Sequence, residues 1–147
     1  MLPLEGLTVI AVEQAVAAPF CSSRLADAGA TASFSWVRQL GSTGGTSRAQ
    51  AVAVQGSSVY VAGITNKALS FSGPGGTGPG GVVVARLTDA GTASQPVWLQ
   101  QATANYVAEC NTLALSGSSV YVGGIIGAGS SFGTVPFPAA GGPAAFV

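Results

Sequence analysis

The hydrophobic pattern of the chain changes near Ala30. Before it, residues 7–12 form a short, mostly apolar and partly β-branched run, as buried parallel strands do. A helix is predicted to follow, because Pro19 suits the first helical position and Gly29 supplies a C-terminal stop. Residues 1–30 are therefore predicted to form a strand followed by a helix.

Short segments with alternating apolar and polar residues replace this pattern from Thr31 onward. Gly, Ser and Asn separate the segments, which is typical of β-strands joined by tight turns. The first four predicted strands are residues 34–40, 49–54, 58–65 and 82–87. The chain is thus divided into a strand-helix stub, residues 1–30, and a β region, residues 31–147.

The β region contains two copies of one sequence unit. Residues 113–125 match residues 52–64 at an offset of 61 positions, and Trp98 follows Trp36 at an offset of 62. A fixed period of this kind indicates a structure built by stacking one repeated unit. The two units are predicted to cover about residues 34–95 and 96–147.

Each unit is predicted to supply four short antiparallel strands. These are an aliphatic strand, a tryptophan-containing strand, a second apolar strand and a Val-Tyr-Val-Gly-Gly strand, exemplified by residues 82–87, 97–101, 112–115 and 120–124. A Gly-Ser-Ser sequence between the last two predicts a tight hairpin. Four antiparallel strands per repeat match a propeller blade. The predicted fold class is mainly β, with two antiparallel four-stranded propeller-type blades, an incomplete propeller, after a short strand-helix segment.

Residues 34–147 resemble the bacterial β-propeller repeats of the SBBP type. The resemblance is carried by a Trp-x-x-Gln motif, which begins at Trp36 and at Trp98, and by the Val-Tyr-Val strands around Tyr60 and Tyr121. It implies a non-catalytic structural or binding module of a larger secreted or cell-surface protein. The partners that it implies are further propeller blades or other copies of the chain.

Residues 2–30 resemble the start of the class III coenzyme A transferases, the carnitine dehydratase-like family. The matching strings are Leu-Pro-Leu-Glu-Gly and Leu-Ala-Asp-Ala-Gly-Ala, at the two ends of this segment. In that family the loop after the first strand touches coenzyme A, and the resemblance maps this contact to Ala15, Val16 and Ala17. The family's catalytic aspartate has no counterpart in this chain, and the covalent step needs that carboxylate.

Three functions remain open at this point. The first is the non-catalytic propeller module, extracellular or on the cell surface. The second is a truncated coenzyme A transferase, cytoplasmic and inactive as it stands, whose family moves coenzyme A between an acyl thioester and a carboxylate. The third is a fused reading frame without evolved function, favoured by the change of pattern at Ala30 and by the aliphatic strand that stops at Val147.

The charge of the chain narrows the choice of partners. Charged residues make up 7% of the chain, against about 25% in average soluble domains. Five basic and five acidic side chains are scattered singly, without the basic stripe that nucleic acids need. No signal peptide is predicted, because Arg24 is the first basic residue. Gly and Pro throughout the charge-free segment after Glu109 argue against a membrane-spanning helix there. A net charge of zero favours self-association.

The candidate chemical groups favour packing over catalysis. The chain has no histidine, which excludes Ser-His-Asp and Cys-His catalysis and zinc sites built on imidazole. Cys21 and Cys110 are predicted to be small buried apolar side chains. The tryptophans and tyrosines that recur once per unit are predicted to pack in the core or between blades. No catalytic or metal-binding residue is predicted, and coenzyme A is a cofactor only under the transferase alternative.

Residues 76–81 satisfy the pattern G-x-G-x-x-G of dinucleotide-binding proteins. In those proteins a helix follows the motif, and its N-terminal amides hold phosphate. Here Pro79 lies inside the motif and a Val-Val-Val strand follows it, so a loop between strands is predicted. Glu5 and Glu13, the carboxylates nearest each other in the sequence, are interpreted as solvated surface charges.

Overall fold

The computed structural model describes residues 36–41, 44–69, 79–104, 108–137 and 142–147. Within these ranges the chain is mainly β with antiparallel pairing, which confirms the predicted fold class at that level. The predicted strand and helix of residues 1–30 lie outside them. Among the residues described, no helix is long and apolar enough to cross a membrane.

Nine strands occur in the described ranges, in two antiparallel sheets. The first sheet has the order β1-β2-β3-β4-β7-β8, and the second has the order β5-β6-β9. The strands are β1 (Ser47–Gln55), β2 (Ser58–Lys67), β3 (Pro79–Asp89), β4 (Ser94–Thr103), β5 (Ala108–Ser116), β6 (Ser119–Ile126), β7 (Ser131–Phe132), β8 (Val135–Pro136) and β9 (Ala144–Phe146). Each sheet therefore begins with a hairpin from one of the two sequence units.

The first sheet is centred on two strands that are buried on both faces. Residues 59–63 of β2 and 81–85 of β3 are buried without interruption. Continuous burial requires cover on both faces of a strand, so β2 and β3 lie side by side away from the edges. β1 has exposed and half-buried side chains along its whole length and forms the edge of the sheet.

The hairpins β1–β2 and β5–β6 share one type of turn. Gly56 and Ser57 join the first pair of strands, and Gly117 and Ser118 join the second. The φ angles of the two glycines are 57° and 56°, in the left-handed region that favours glycine. Glycine at the first position of a two-residue loop meets the need of a type II′ turn. The predicted Gly-Ser-Ser hairpins are confirmed.

Pairing within the two hairpins is the same at every position. The eight residue pairs of β5 and β6 each lie 61 residues after the corresponding pair of β1 and β2. Each hairpin has a register shift, at Gln50 in β1 and at Asn111 in β5. Near each shift the opposite strand has a glycine, Gly63 or Gly124, whose added Cβ would collide with a backbone carbonyl oxygen across the ladder. The sequence repeat is therefore also a repeat of backbone geometry.

The grouping of strands differs from the prediction. Residues 82–87 and 97–101 pair with each other, but residues 112–115 and 120–124 lie in the second sheet. The four-stranded meander is instead β1 to β4, and the predicted boundary between residues 95 and 96 falls inside β4. The reason is burial: β2 and β3 are the two strands buried on both faces, and pairing them places both in the interior of one sheet.

The predicted strand over residues 34–40 is not formed in its described part. Residues 36–40 belong to no strand. Trp36 and Leu40 instead lie against the face of the first sheet that carries Val59 and Val61. Both side chains are apolar, so their burial against the sheet face stabilises this segment without backbone pairing to a neighbouring strand.

Two apolar clusters lie on opposite faces of the first sheet. We call the cluster between the two sheets the inter-sheet core; its buried members are Ala62, Val82, Val84, Ala102, Ala104, Cys110 and Ile126. We call the opposite side of the first sheet the back face; its buried members are Val59, Val61 and Leu87, which Trp36 and Leu40 contact. Successive residues of β2 alternate between the two faces, as a strand requires.

Candidate functional site

The surface of the first sheet that meets the second sheet carries an aromatic and cationic group. Tyr60 and Trp98 have ring centroids 6.2 Å apart with planes inclined at 59°. The Arg86 guanidinium carbon lies 5.8 Å from the centroid of the Tyr60 ring, and its Nη2 donates to Ser58 Oγ at 3.0 Å. Trp98 packs against the inter-sheet core. Tilted ring pairs and cation–π contacts of this kind stabilise a packed surface.

A hydrogen bond joins the two sheets at the register shift of β1. The backbone N–H of Cys110 donates to Gln50 Oε1 at 3.1 Å. Gln50 is the residue that the shift leaves outside the ladder, so its side chain is placed to reach the second sheet. Gln50 is not recognisable from the sequence alone, because a register shift depends on which strands pair.

Cys110 lies in the inter-sheet core with no exposed surface. Burial raises the pKa of its thiol, and a hydrogen bond to the carbonyl oxygen of Thr112 opposes this only partly. A neutral thiol in an apolar environment is a poor nucleophile. The prediction that Cys110 is a small buried apolar side chain is confirmed, while Cys21 lies outside the described ranges.

The back face is tied to the preceding segment through one indole. Trp36 Nε1–H donates to Asp89 Oδ1 at 2.9 Å, and the backbone N–H of Gly91 donates to the same oxygen at 2.8 Å. These two donors, the indole first, lower the pKa of Asp89 below its ordinary value. The carboxylate therefore holds the turn after β3 and the Trp36 segment together.

Two cavities lie beside these contacts. One of about 230 Å³ separates the back face from residues 36–40, and Arg38 and Arg48 are the charged side chains in its wall. The other, of about 310 Å³, opens between the sheets, and its wall is largely apolar and aromatic, with Trp98 and Phe146 among its members. Both are gaps between packed layers, and their walls suit apolar packing better than proton transfer.

The outer face of the second sheet is more exposed than the same face of the first. Tyr60 and Tyr121 occupy the same position in their hairpins, opposite Ala53 and Ala114. Tyr60 is 7% exposed, whereas Tyr121 is 51% exposed. Tyr60 contacts Trp98 and Arg86 on the face of the first sheet that meets the second sheet, and none of the described residues gives Tyr121 comparable cover. The predicted packing role thus holds for Tyr60, Trp36 and Trp98, and Tyr121 lies at a surface.

The residues that the transferase resemblance implies, Ala15, Val16 and Ala17, lie outside the described ranges, as do Glu5 and Glu13. Of the glycine-rich motif, residues 79–81 begin β3. The predicted loop is therefore wrong at residues 79–81, which already belong to β3. The strand after the motif was predicted, and it differs from the helix that phosphate binding requires. Among the described side chains, no three that bind metals come together.

Comparisons with models of protein families, with curated proteins and with solved structures found no match to the chain. The repeated geometry of the chain itself is therefore the basis for assigning a role. That geometry consists of two hairpins with one register, packed face to face, with further apolar surface on the back face of the first sheet.

Proposed function

We propose that the chain is a non-catalytic module of two consecutive β-propeller repeats, with a structural or binding role in a larger propeller surface. The observation that supports this proposal is the identity of the two hairpins. All eight pairs, the register shift and the glycine turn recur 61 residues apart. A propeller repeats one four-stranded meander, and the order β1-β2-β3-β4 is such a meander.

The packing of neighbouring units supports the same proposal. The second sheet lies against the first through the inter-sheet core, as one blade lies against the next. Residues 36–40 lie against the back face, and their Trp-x-x-Gln motif is the counterpart of the one in β4. In this proposal the segment corresponds to the outer strand of a preceding unit, although residues 36–40 form no strand here. The two cavity walls, which are mostly apolar, fit a packing role.

The test is a series of chains in which residues 47–107 are repeated in tandem. If the units are propeller repeats, the unfolding free energy per unit rises sharply at the copy number that closes a ring, about four to eight units. Ring closure removes the two open end faces in one step. Equilibrium urea unfolding and small-angle X-ray scattering measure this rise and the change to a disc-shaped particle.

The matched control is the same series with Gln50→Leu in every unit. This change removes the hydrogen bond between neighbouring units and lowers the gain in unfolding free energy when the ring closes. The proposal is contradicted if the melting temperature does not depend on copy number and the scattering is that of separate folded units joined by flexible linkers. The coenzyme A transferase alternative rests on residues 2–30, outside the part of the chain that the structure describes.

A further inference from the structure

The interface between the two sheets is formed by two surfaces, and each of these surfaces occurs a second time elsewhere on the molecule. One half is the front of the first sheet, where Tyr60 lies, and its counterpart is the outer face of the second sheet, where Tyr121 lies. Val120 and Val122 pack against the inter-sheet core, so alternation along β6 directs Tyr121 to the other side. The outer face of the second sheet is therefore a second copy of the surface that the chain itself covers at Tyr60.

The other half of the interface is likewise repeated, on the back face. Leu113 packs against the inter-sheet core, and its counterpart 61 residues earlier is Val52. Val52 and Val54 pair with residues of β2 that belong to the back face, so they lie on that face too. They are 42% and 53% exposed. The back face of the first sheet and the outer face of the second sheet therefore each repeat one half of the interface between the two sheets.

The polar contact of the interface recurs in the same way. Gln50, at the register shift of β1, accepts from the Cys110 backbone N–H of the second sheet. Asn111 holds the same place in β5, 61 residues later, and is exposed. Its carboxamide is the same kind of acceptor, offered at the outer face of the second sheet.

We propose that the chain binds a second copy of itself head to tail, with the outer face of the second sheet on the back face of the next copy's first sheet. This deepens the proposed function and rests on it, because it uses the stacking of like units. A second copy is the partner that fits, since the surface required is the one that the chain already uses internally. Val52, Val54 and Tyr121 are exposed large apolar side chains on these two faces, which favours association. The zero net charge provides no repulsion.

The segment around Trp36 supplies a further contact with the second copy, at the edge of that copy's second sheet. In the first sheet, β4 with its Trp-x-x-Gln motif pairs beside β3. The corresponding place in the second sheet is beside β9, a three-residue strand at the edge. Residues 36–39 carry the same motif and are in no strand, and Val37 is 82% exposed. In the head-to-tail contact this segment lies next to β9 of the neighbour and extends that sheet.

Head-to-tail contacts between unlike surfaces propagate until a ring closes. With two units in each chain, closure at about four to eight units corresponds to about two to four copies. The expected particle in solution is therefore about two to four times the 14.3 kDa of one chain. Its formation depends on protein concentration.

The experiment uses two variants of the full chain that block opposite ends, Val54→Glu and Tyr121→Glu. Each alone removes one half of every contact, so sedimentation velocity is expected to show monomers for either variant. Mixed in equal amounts, they retain one intact contact and are expected to form a dimer that grows no further. The charge-matched control Thr92→Glu, in an exposed turn, is expected to associate as the wild type does. Circular dichroism checks that each variant is folded.

The proposal is wrong if the wild-type chain stays monomeric when its concentration is raised 100-fold. It is also wrong if the mixture of Val54→Glu and Tyr121→Glu remains monomeric. Hydrogen exchange at the Cys110 amide separates this failure from failure of the proposed function. A monomer with a protected Cys110 amide keeps the stacking of units and loses only the self-association. A Cys110 amide that exchanges as in an unfolded chain shows that the units do not stack, and both proposals then fail.

Discussion

Asp89 connects three parts of the molecule through a single carboxylate. It ends β3, accepts from Gly91 within its own turn, and accepts from Trp36 across the back face. The local sequence accounts for the turn, because Asp-x-Gly is common in turns. It did not predict the indole contact, which joins residues 53 positions apart and depends on where the preceding segment packs.

The Asp89 carboxylate is expected to make attachment of the Trp36 segment depend on pH. Its pKa is lowered in the folded chain, so the stabilisation is present above the ordinary aspartate pKa and is lost as the pH falls through the lower native value. In a Trp98→Phe background, the fluorescence of Trp36 reports this loss as a red shift. Asp89→Asn, which cannot lose a proton, is the control and is expected to show no such transition. A midpoint at or above the ordinary aspartate pKa contradicts the assignment.

The two tryptophans show how far residue roles followed from the sequence. Their recurrence once per unit predicted packing, and both are half-buried against apolar clusters. The sequence repeat did not predict that the two tyrosines differ in exposure. Tyr60 is buried on the face that meets the second sheet, and Tyr121 is at a surface. The cause is position in the stack, which a local pattern does not contain.

The glycines near the two register shifts control the geometry of each hairpin. Gly63 and Gly124 allow the backbone of the opposite strand to approach more closely than a Cβ permits. Gly63→Ala and Gly124→Ala are each expected to destabilise the chain by about 1–3 kcal/mol, the usual cost of forcing extra volume into a packed site. Urea unfolding measures the change.

The control for the two glycine variants is Gly142→Ala. Nothing lies within 4 Å of its added Cβ, and surface changes of that kind are expected to alter stability by at most about 0.5 kcal/mol. Equal effects at all three glycines would show that backbone entropy, not the close approach, sets the stability. A larger loss at the two ladder glycines supports the repeated geometry.

At the scale of elements, the sequence predicted which residues are in strands better than which strands pair. The predictions over 49–54 and 58–65 correspond to β1 and β2, and each observed strand is longer than predicted. Turn chemistry fixes a hairpin locally, so β1–β2 and β5–β6 were predictable. The pairing of β2 with β3 crosses residues 68–78 and depends on burial of both strands, which is a property of the whole sheet.

At the scale of the whole chain, the contact between Gln50 and Cys110 reports whether the two units stay together. Gln50→Leu removes the acceptor and is expected to weaken the local contact by about 1 kcal/mol. The Cys110 amide is then expected to exchange about fivefold faster with solvent. Gln50→Glu keeps an acceptor oxygen and is the matched control. Unchanged exchange in Gln50→Leu would show that apolar packing alone protects this amide.

The equal register of the two hairpins has a consequence for how the gene can change length. An unequal exchange that aligns the codon of Ala53 with that of Ala114 adds or removes 61 codons, a whole number of units. The recombinant chain then meets the same cross-strand neighbours, the same glycine turn and the same register shift at the junction. Recombination at matched positions therefore changes the number of units while leaving each unit's pairing intact.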